Sequence, residues 1–343
     1  MYSYSRLSSY DNCPLQYKLR YLDRLQRPVE SIEAFLGNRV HEVLRRIHAD
    51  QAMEKPVTLE QALEMYERRW ERLYHPAIRI VRREYAPEHY RAVGRRCLQD
   101  YYQRYQPFRD GRTLGCEVKM LVTVGSAPVH RVIGYIDRLV EREPGVYEIH
   151  DYKTGNSLPD QREIDADEQL ALYQLGLQQR FPEAERIELV WHYLAHDKEM
   201  RSLREGPTLE RLQKRTASRI DRLEALDPAA DYPPRESPLC AWCEYRDLCP
   251  LWKHQVRLER LQAQGLDRAP ETELVERYAQ VLADERELAA RREDLESALG
   301  EWMQREGASR LFGERHCVEA AAPEKGGGLR LRPLEENGQF RLF

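Results

Sequence analysis

The sequence lacks any apolar run of about 18 residues, so no hydrophobic membrane-spanning helix is expected. Its start, from Met1 to Arg6, does not show the basic and then apolar pattern of a signal peptide. We therefore expect a cytoplasmic protein with no membrane partner. In that compartment, the seven cysteines should be thiols or metal ligands rather than disulfides.

Two further features are missing or weak. The chain has no Gly-x4-Gly-Lys-Ser/Thr phosphate-binding loop, so no helicase motor is expected within it. Its net charge of −4 gives no overall basic character, so any surface that binds nucleic acid must be local. By contrast, 33% of the residues are charged, and a 41% hydrophobic fraction allows a sizeable core. The 343 residues suffice for one large domain or two.

The centre of the sequence predicts two strands, residues 131–140 and 146–152, joined by a Pro-Gly turn. Residues two apart on a strand face the same way, so Asp151 and Lys153 project together, and a hairpin would bring Asp137 beside Asp151. Paired carboxylates suit Mg²⁺ or Mn²⁺, and a nearby lysine can orient a water or stabilise charge on a phosphate. Alone, however, an Asp-x-Lys pattern more often indicates a solvated ion pair.

Two predicted helices carry further candidates. The helix over residues 31–49 places His41 beside its apolar stripe, where a histidine is more often a core or boundary residue than a ligand. The helix over residues 165–181 carries Gln169 and Tyr173, which are four apart and share one face. Most such pairs combine a surface polar residue with a core aromatic one. Glu117, on the strand predicted over residues 113–124, is a further carboxylate that could reach the site.

The helical segment over residues 58–105 is rich in arginine. Between residues 67 and 110 there are eleven arginines, no lysine and six acids, a net charge of +5. Aromatic residues are interleaved: Trp70, Tyr74, Tyr85, Tyr90, Tyr101, Tyr102 and Tyr105. This composition suits phosphate contacts and base stacking on single strands. It equally suits a helical hairpin with a solvated arginine face and inward aromatics, and both interpretations can hold at once.

Three cysteines lie within ten residues: Cys240, Cys243 and Cys249. Thiolates at this spacing typically hold zinc or an iron–sulfur cluster, and three buried thiols are the alternative. A fourth ligand is needed. Cys13 is the better candidate because, like Cys249, it is followed by proline, whereas the others fall within ordinary helix or strand patterns: Cys97, Cys116 and Cys317.

The C-terminal region predicts a long acidic helix over residues 271–306, in which eleven acids and five arginines give a net charge of −6. Its apolar residues follow roughly a heptad repeat, interrupted by Glu285 and Arg292. Such a helix packs on the main body or against a partner helix. The tail around residues 325–328 predicts a short hairpin or a frayed end.

Together these motifs resemble the PD-(D/E)XK nuclease superfamily, in particular RecB/AddB-type exonucleases and CRISPR-associated nucleases that carry an iron–sulfur cluster. The opening Ser-x-Ser-x-Leu-x-x-Tyr-x-x-Cys-Pro-x-x-Tyr pattern is present from Ser3 to Tyr17, followed by a helix histidine at His41. The later motifs follow in the family's order: Gly134–Arg138, Asp151 with Lys153, Gln169 with Tyr173, and Cys240 to Pro250.

The resemblance implies a restriction-endonuclease-like α/β (α+β) core, a mixed β-sheet flanked by helices, in residues 1–263, with a helical insert at about 50–110. Residues 264–343 would add the acidic helix and a short β tail. Its implied ligands for Mg²⁺ or Mn²⁺ are His41, Asp137, Asp151 and the Tyr152 carbonyl. Its implied catalytic residues are Asp137, Asp151, Lys153, Gln169 and Tyr173. A 4Fe–4S cluster would bind Cys13, Cys240, Cys243 and Cys249.

Two functions are compatible with these features. The first is a metal-dependent DNA exonuclease that acts on single strands or DNA ends in repair, recombination or defence. The second is a DNA-binding or end-processing subunit of a larger helicase–nuclease or CRISPR adaptation complex, with little activity alone. The complete set of two acids and a lysine favours the enzyme. The large insert and the acidic helix, which exceed the family's minimum, motivate the alternative with its helicase or other protein partner.

Overall fold

In the computed structural model, the described residues are 1–27, 29–82, 84–227, 229, 232–265, 270–320 and 328–334. The chain forms two compact units, Met1–Val256 and Arg257–Phe343. Among the described residues, no helix combines the length and apolar character needed to cross a membrane. Of the residues 325–328, where the sequence predicts a short hairpin or a frayed end, residues 325–327 lie outside the described residues.

The first unit is built on a six-stranded mixed sheet. Its strands, β1 to β6, are Tyr2–Ser3, Arg112–Val124, His130–Glu143, Val146–Lys153, Arg186–Tyr193 and Lys198–Leu203. The sequence alternation predicted the central hairpin correctly, because β3 and β4 pair antiparallel across the turn. Strand β4 then pairs in parallel with β5, and β1 pairs in parallel with β3 at Val132 and Ile133. The expected mixed sheet flanked by helices is confirmed.

Helices cover this sheet, and their bounds follow local capping signals. Helices α1 to α8 are Tyr4–Asn12, Pro14–Tyr17, Ile32–Ala52, Leu59–Leu73, Pro87–Tyr105, Gln161–Ala166, Gln169–Arg180 and Gly206–Glu224. The helix predicted over residues 165–181 is interrupted, because α6 ends at Ala166 and α7 begins at Gln169. Between them, the side chain of Asp167 accepts a hydrogen bond from the backbone N–H of Leu170. The segment predicted as helical over 58–105 is two helices, and Pro87 opens the second at its first position.

Two hydrophobic clusters form the core of the first unit. One packs α7 and α8 against strand residues such as Ile149 and Trp191. The other packs α3, α4 and α5 together with Tyr152 and Leu194. Because Ile149 and Tyr152 belong to different clusters, β4 is covered on both faces, and the site residues at its end are held by packing from two directions.

The arginine-rich insert is mainly a packed helical pair. The rings of Trp70, Tyr90 and Tyr101 are buried, so the interpretation of these three as base-stacking residues is wrong. Several arginines pair with acids of the insert or of the neighbouring helix α3: Arg68 with Glu64, Arg69 with Glu42, Arg91 with Glu71, and Arg95 with Glu67. The aromatics thus provide the core, while the arginines bond to neighbouring carboxylates at the surface.

The second unit contains the long helix α10, Pro270–Glu306, and a three-stranded antiparallel sheet. The preceding helix α9, Lys253–Ala263, begins just before the boundary between the two units. Strands β7 to β9 are Arg310–Phe312, His316–Ala320 and Leu329–Pro333. Met303 and Cys317 are buried, whereas most side chains of α10 are exposed.

Candidate active site

Three carboxylates meet where β2, β3 and β4 lie side by side. The residues on either side of Glu117 pair with the residues on either side of Asp137. Between β3 and β4, Asp137 and Asp151 each lie one residue beyond the terminal pair of the ladder, Arg138 with His150. Glu117 has a φ of 53°, in the left-handed region that non-glycine residues rarely adopt, and such outliers concentrate at functional sites. Three strands therefore deliver three acids to one place.

His41 on α3 closes one side of this group. Its Nε2 lies 2.8 Å from the carbonyl oxygen of Tyr152, to which it can donate a hydrogen bond, and its Nδ1 lies 3.5 Å from Asp137 Oδ1. Burial alone would lower the pKa of His41, but the hydrogen bond to Asp137 and its negative charge raise it to about 9. The ligand atoms of His41, Glu117 and Asp137 all lie within 4.8 Å of one another.

Lys153 closes the other side. Its Nζ lies 2.7 Å from Asp151 Oδ2, so the two side chains form a close ion pair. The angles at this buried oxygen do not meet the criteria for a hydrogen bond. Burial, and then the charge of Asp137, raise the pKa of Asp151 to about 6, although Lys153 opposes this rise. Asp137 Oδ2 accepts a hydrogen bond of 2.8 Å from the backbone N–H of Tyr152. The two carboxylates thus have different partners.

Two polar side chains of helix α7 continue the contacts of Lys153. Gln169 Oε1 lies 3.4 Å from Lys153 Nζ, and Gln169 Nε2 lies 3.4 Å from the Tyr173 hydroxyl. A Cβ added at Gly134 would come within 2.0 Å of the Tyr173 ring, so only glycine at that strand position leaves room for the tyrosine. The glycine of the strand motif is therefore explained by a close approach between sheet and helix.

The donor set fits a hard divalent cation. Carboxylates and a backbone carbonyl suit Mg²⁺ or Mn²⁺, and the imidazole favours Mn²⁺ of the two. The buried Asp151 Oδ2 has no well-directed hydrogen-bond partner. The metal-ligand and catalytic residues predicted from the sequence are joined here by direct contacts. The close group of side chains differs from the predicted ligand set in two respects. It contains Glu117, and it lacks Asp151, which pairs with Lys153.

A second group of potential ligands, Asp110, Glu148 and His150, lies elsewhere in the first unit. Here the carboxylates already have cationic partners, with Arg138 at 2.8 Å from Asp110 and Arg201 at 2.6 Å from Glu148. Burial, and then nearby arginines, hold the pKa of His150 well below its usual value. The positive charge around this group disfavours a cation, so the network is structural.

The four predicted cluster cysteines line one cavity of about 770 Å³, which Gln169 and Tyr173 also line. Two sulfurs have backbone N–H groups directed at them, from Arg235 to Cys13 Sγ at 3.4 Å and from Ser237 to Cys240 Sγ at 3.3 Å. Burial raises the pKa of the Cys243 thiol to about 11. The other thiols lie in regular elements, as predicted: Cys97 in α5, Cys116 in β2 and Cys317 in β8.

Polar contacts join the N-terminal segment to the cysteine-rich one. The hydroxyl of the buried Tyr245 donates to the carbonyl of Leu25 at 2.7 Å, and Arg27 lies 3.3 Å from Asp247. Arg20 pairs with Glu244 in the same region. Residues more than 200 positions apart in the sequence therefore form one wall of the cavity.

Comparison with known proteins identifies this arrangement as that of a nuclease. A family model for the PD-(D/E)XK nuclease superfamily matches residues 1–250. The chain belongs to the PD-(D/E)XK nuclease superfamily, whose members hydrolyse phosphodiester bonds with divalent metal ions. The superfamily implies DNA as the substrate class.

More distant likenesses occur among solved structures, of which 12 chains match. The crystal structure of SSO0001 is 15% identical, with a TM-score of 0.31, and the match covers 70% of this chain and 95% of that one. A "putative exonuclease" from Eubacterium rectale is 16% identical, with a TM-score of 0.40, and the match covers 72% and 86%. At these values neither structure informs on substrate. No curated protein sequence matches the chain.

Proposed function

We propose that this protein is a metal-dependent DNA exonuclease of the RecB/AddB type, acting on single strands or DNA ends. The observation that carries the proposal is the convergence of Asp137, Asp151 and Lys153 with His41 at the end of one hairpin. We assign this activity to residues 1–263 and place it in repair, recombination or defence in the cytoplasm. Since the sequence contains no phosphate-binding loop, any unwinding would require a separate helicase.

The residue roles follow from the contacts. His41, Asp137, Asp151 and the Tyr152 carbonyl would hold Mg²⁺ or Mn²⁺, and Glu117 is near enough to contribute. When bound, such an ion polarises the scissile phosphate and lowers the pKa of a water molecule. Lys153 supplies a fixed positive charge beside the reacting phosphate and a donor that orients water. Gln169 contacts both Lys153 and Tyr173, so it positions the ammonium or braces the DNA strand.

The cavity supports a single-stranded substrate. From Gln169 and Tyr173 it extends past arginines and aromatic rings of the first unit: Arg20, Tyr135, Arg235, Trp242 and Trp252. Tyr135 is half exposed. Cationic side chains track a phosphate backbone, and exposed aromatic rings stack on bases regardless of their sequence. We infer that the strand reaches Lys153 along this wall rather than across the buried aromatics of the insert.

We further propose that Cys13, Cys240, Cys243 and Cys249 hold a 4Fe–4S cluster with a structural role. Sulfurs on one tetrahedral zinc lie about 3.8 Å apart, given a zinc–sulfur bond of about 2.3 Å. Among the described residues, the groups of three or more ligand atoms that all lie within 4.8 Å of one another contain no cysteine, so the four thiols are not gathered as closely as on one zinc ion. The two N–H groups directed at sulfur suit thiolates, which accept hydrogen bonds.

Degradation of labelled DNA tests the proposed activity. Protein purified anaerobically is mixed with Mn²⁺ or Mg²⁺ and with linear single-stranded, linear duplex or circular single-stranded DNA. We expect the linear single strand to be degraded and the circle to survive, with end labels reporting the direction. Cleavage of the circle at an equal rate would instead show an endonuclease. If no DNA is cut although it binds and the cluster is intact, the protein is a binding subunit that needs its partner.

Glu117→Gln tests whether this carboxylate is a ligand. We expect the Mn²⁺ concentration for half-maximal cleavage to rise about 10- to 100-fold, the range seen when groups that support a metal are removed. Saturating Mn²⁺ should restore most activity, because Asp137, Asp151 and Lys153 remain. The control is Glu143→Gln, an exposed glutamate at the far end of β3. An unchanged metal dependence would exclude Glu117 from the metal site.

A further inference from the structure

Helix α10 presents an exposed apolar seam with an unbroken repeat of seven. Leu274, Val281, Leu288, Leu295 and Trp302 recur at every seventh position and are 52% to 64% exposed. A second series, four residues after each of the first four, contains Tyr278, Glu285, Arg292 and Leu299. Apolar heptads sustained over four repeats are typical of a coiled coil. In coiled-coil notation the first series occupies d positions and the second occupies a positions.

We propose that α10 pairs antiparallel with α10 of a second copy of this chain, forming a homodimer. The two polar a positions determine the direction. In a parallel pair, a positions face each other, so Glu285 would meet Glu285 and Arg292 would meet Arg292 of the second copy. Like charges at the centre of a seam are costly. An antiparallel pair places each of these residues opposite an apolar d residue.

The flanking charges select one register. When Glu285 lies opposite Leu288 of the second copy, the g-position residue Asp284 lies beside Arg291 of the second copy. Twofold symmetry forms this complementary pair twice. On the other flank, Leu282 then meets Ala289 of the second copy, which keeps that side apolar. Sliding the helices by one heptad would instead bring Arg291 against Arg291, so charge favours the first register.

The net charge of α10 does not oppose this pairing. Four of its acids occupy outward c positions, away from the seam: Glu273, Glu287, Asp294 and Glu301. A parallel pair would gain an ion pair of its own at the edge of the seam, between Arg291 and Glu296 of the second copy. Contacts at the rim are weak, however, and they do not compensate for two like-charge layers in the seam. The helix of 37 residues is about 55 Å long, enough for all four repeats.

Sedimentation velocity on the full chain tests the pairing. We expect a particle of about 81 kDa, twice the 40.6 kDa of one chain. Leu288→Glu, which adds two charges to the seam, should raise the dimer dissociation constant at least ~100-fold. The control Ala290→Glu adds the same charge on the outer face and should leave the dimer intact. A monomeric wild type would overturn the proposal.

Charge reversal tests the direction and register. Asp284→Arg and Arg291→Asp should each weaken the dimer by about 10-fold, since two attractive pairs become repulsive. The double variant should recover the wild-type affinity. In a parallel pair, Asp284→Arg would face Ala289 and change little, and the double variant would not recover. That second pattern would contradict the antiparallel arrangement, provided circular dichroism shows equal helix content in all variants.

Discussion

Replacing Lys153 with alanine should reduce DNA cleavage by at least ~10³-fold, a loss of roughly 4 kcal/mol in transition-state stabilisation. The ammonium lies 2.7 Å from Asp151 and 3.4 Å from Gln169, so its removal takes away the positive charge held beside the acids. DNA affinity should change much less, since the proposed strand path uses arginines and aromatic rings. The measurement is single-turnover cleavage of end-labelled single-stranded DNA in Mn²⁺, beside a binding titration.

Two comparisons separate catalysis from folding in this experiment. Lys214→Ala removes an exposed lysine from α8 and should leave cleavage unchanged. Lys153→Gln keeps a hydrogen-bond donor near Gln169 but removes the charge, so it should remain impaired if charge is what matters. Cleavage by Lys153→Ala above about a tenth of the wild-type rate would contradict the role assigned to this lysine.

Replacing Cys243 with alanine should yield a colourless and much less stable protein. A cluster bound by Cys13 and Cys240 closes a loop of 227 residues (240 − 13). By the loop-entropy relation for cross-links, such closure stabilises the fold by about 5 kcal/mol. That is comparable with the whole stability of many domains, and its loss should lower the Tm by about 10 to 20 °C.

The measurements are the absorbance near ~400 nm, where iron–sulfur thiolate centres absorb and zinc sites do not, and thermal unfolding under anaerobic conditions. Cys97→Ala is the matched control, because this buried thiol lies in α5 outside the cavity. It should keep the colour and lose only a little stability. A soluble, colourless Cys243→Ala protein with an unchanged Tm would remove the structural role of the cluster.

The sequence was most informative where side chains alternate along short, regular strands. The hairpin and the juxtaposition of Asp137 with Asp151 followed from a two-residue period and a Pro-Gly turn. The position of Glu117 did not follow from this alternation, because its left-handed φ departs from the regular strand geometry on which such reasoning depends.

The insert shows a second limit of sequence reasoning. Arginine and aromatic residues alternate there in a way that suits both nucleic-acid binding and helix packing. The decision depends on which faces α3, α4 and α5 turn toward one another, and this is tertiary information. The structure buries Trp70, Tyr90 and Tyr101 in their common core. Composition alone therefore could not distinguish base-stacking rings from core rings in this segment.

The first unit also has an unusual folding requirement. Its second residue pairs with Val132, and its N-terminal segment bonds to the segment around Tyr245. Contacts between such distant positions give the fold a high contact order, which slows folding. During synthesis, the cavity cannot close until about 250 residues have left the ribosome. The nascent chain therefore exposes the predicted cluster cysteine Cys13 for most of its synthesis, and the cavity wall closes long after the acids and Lys153 of the nuclease site have been made.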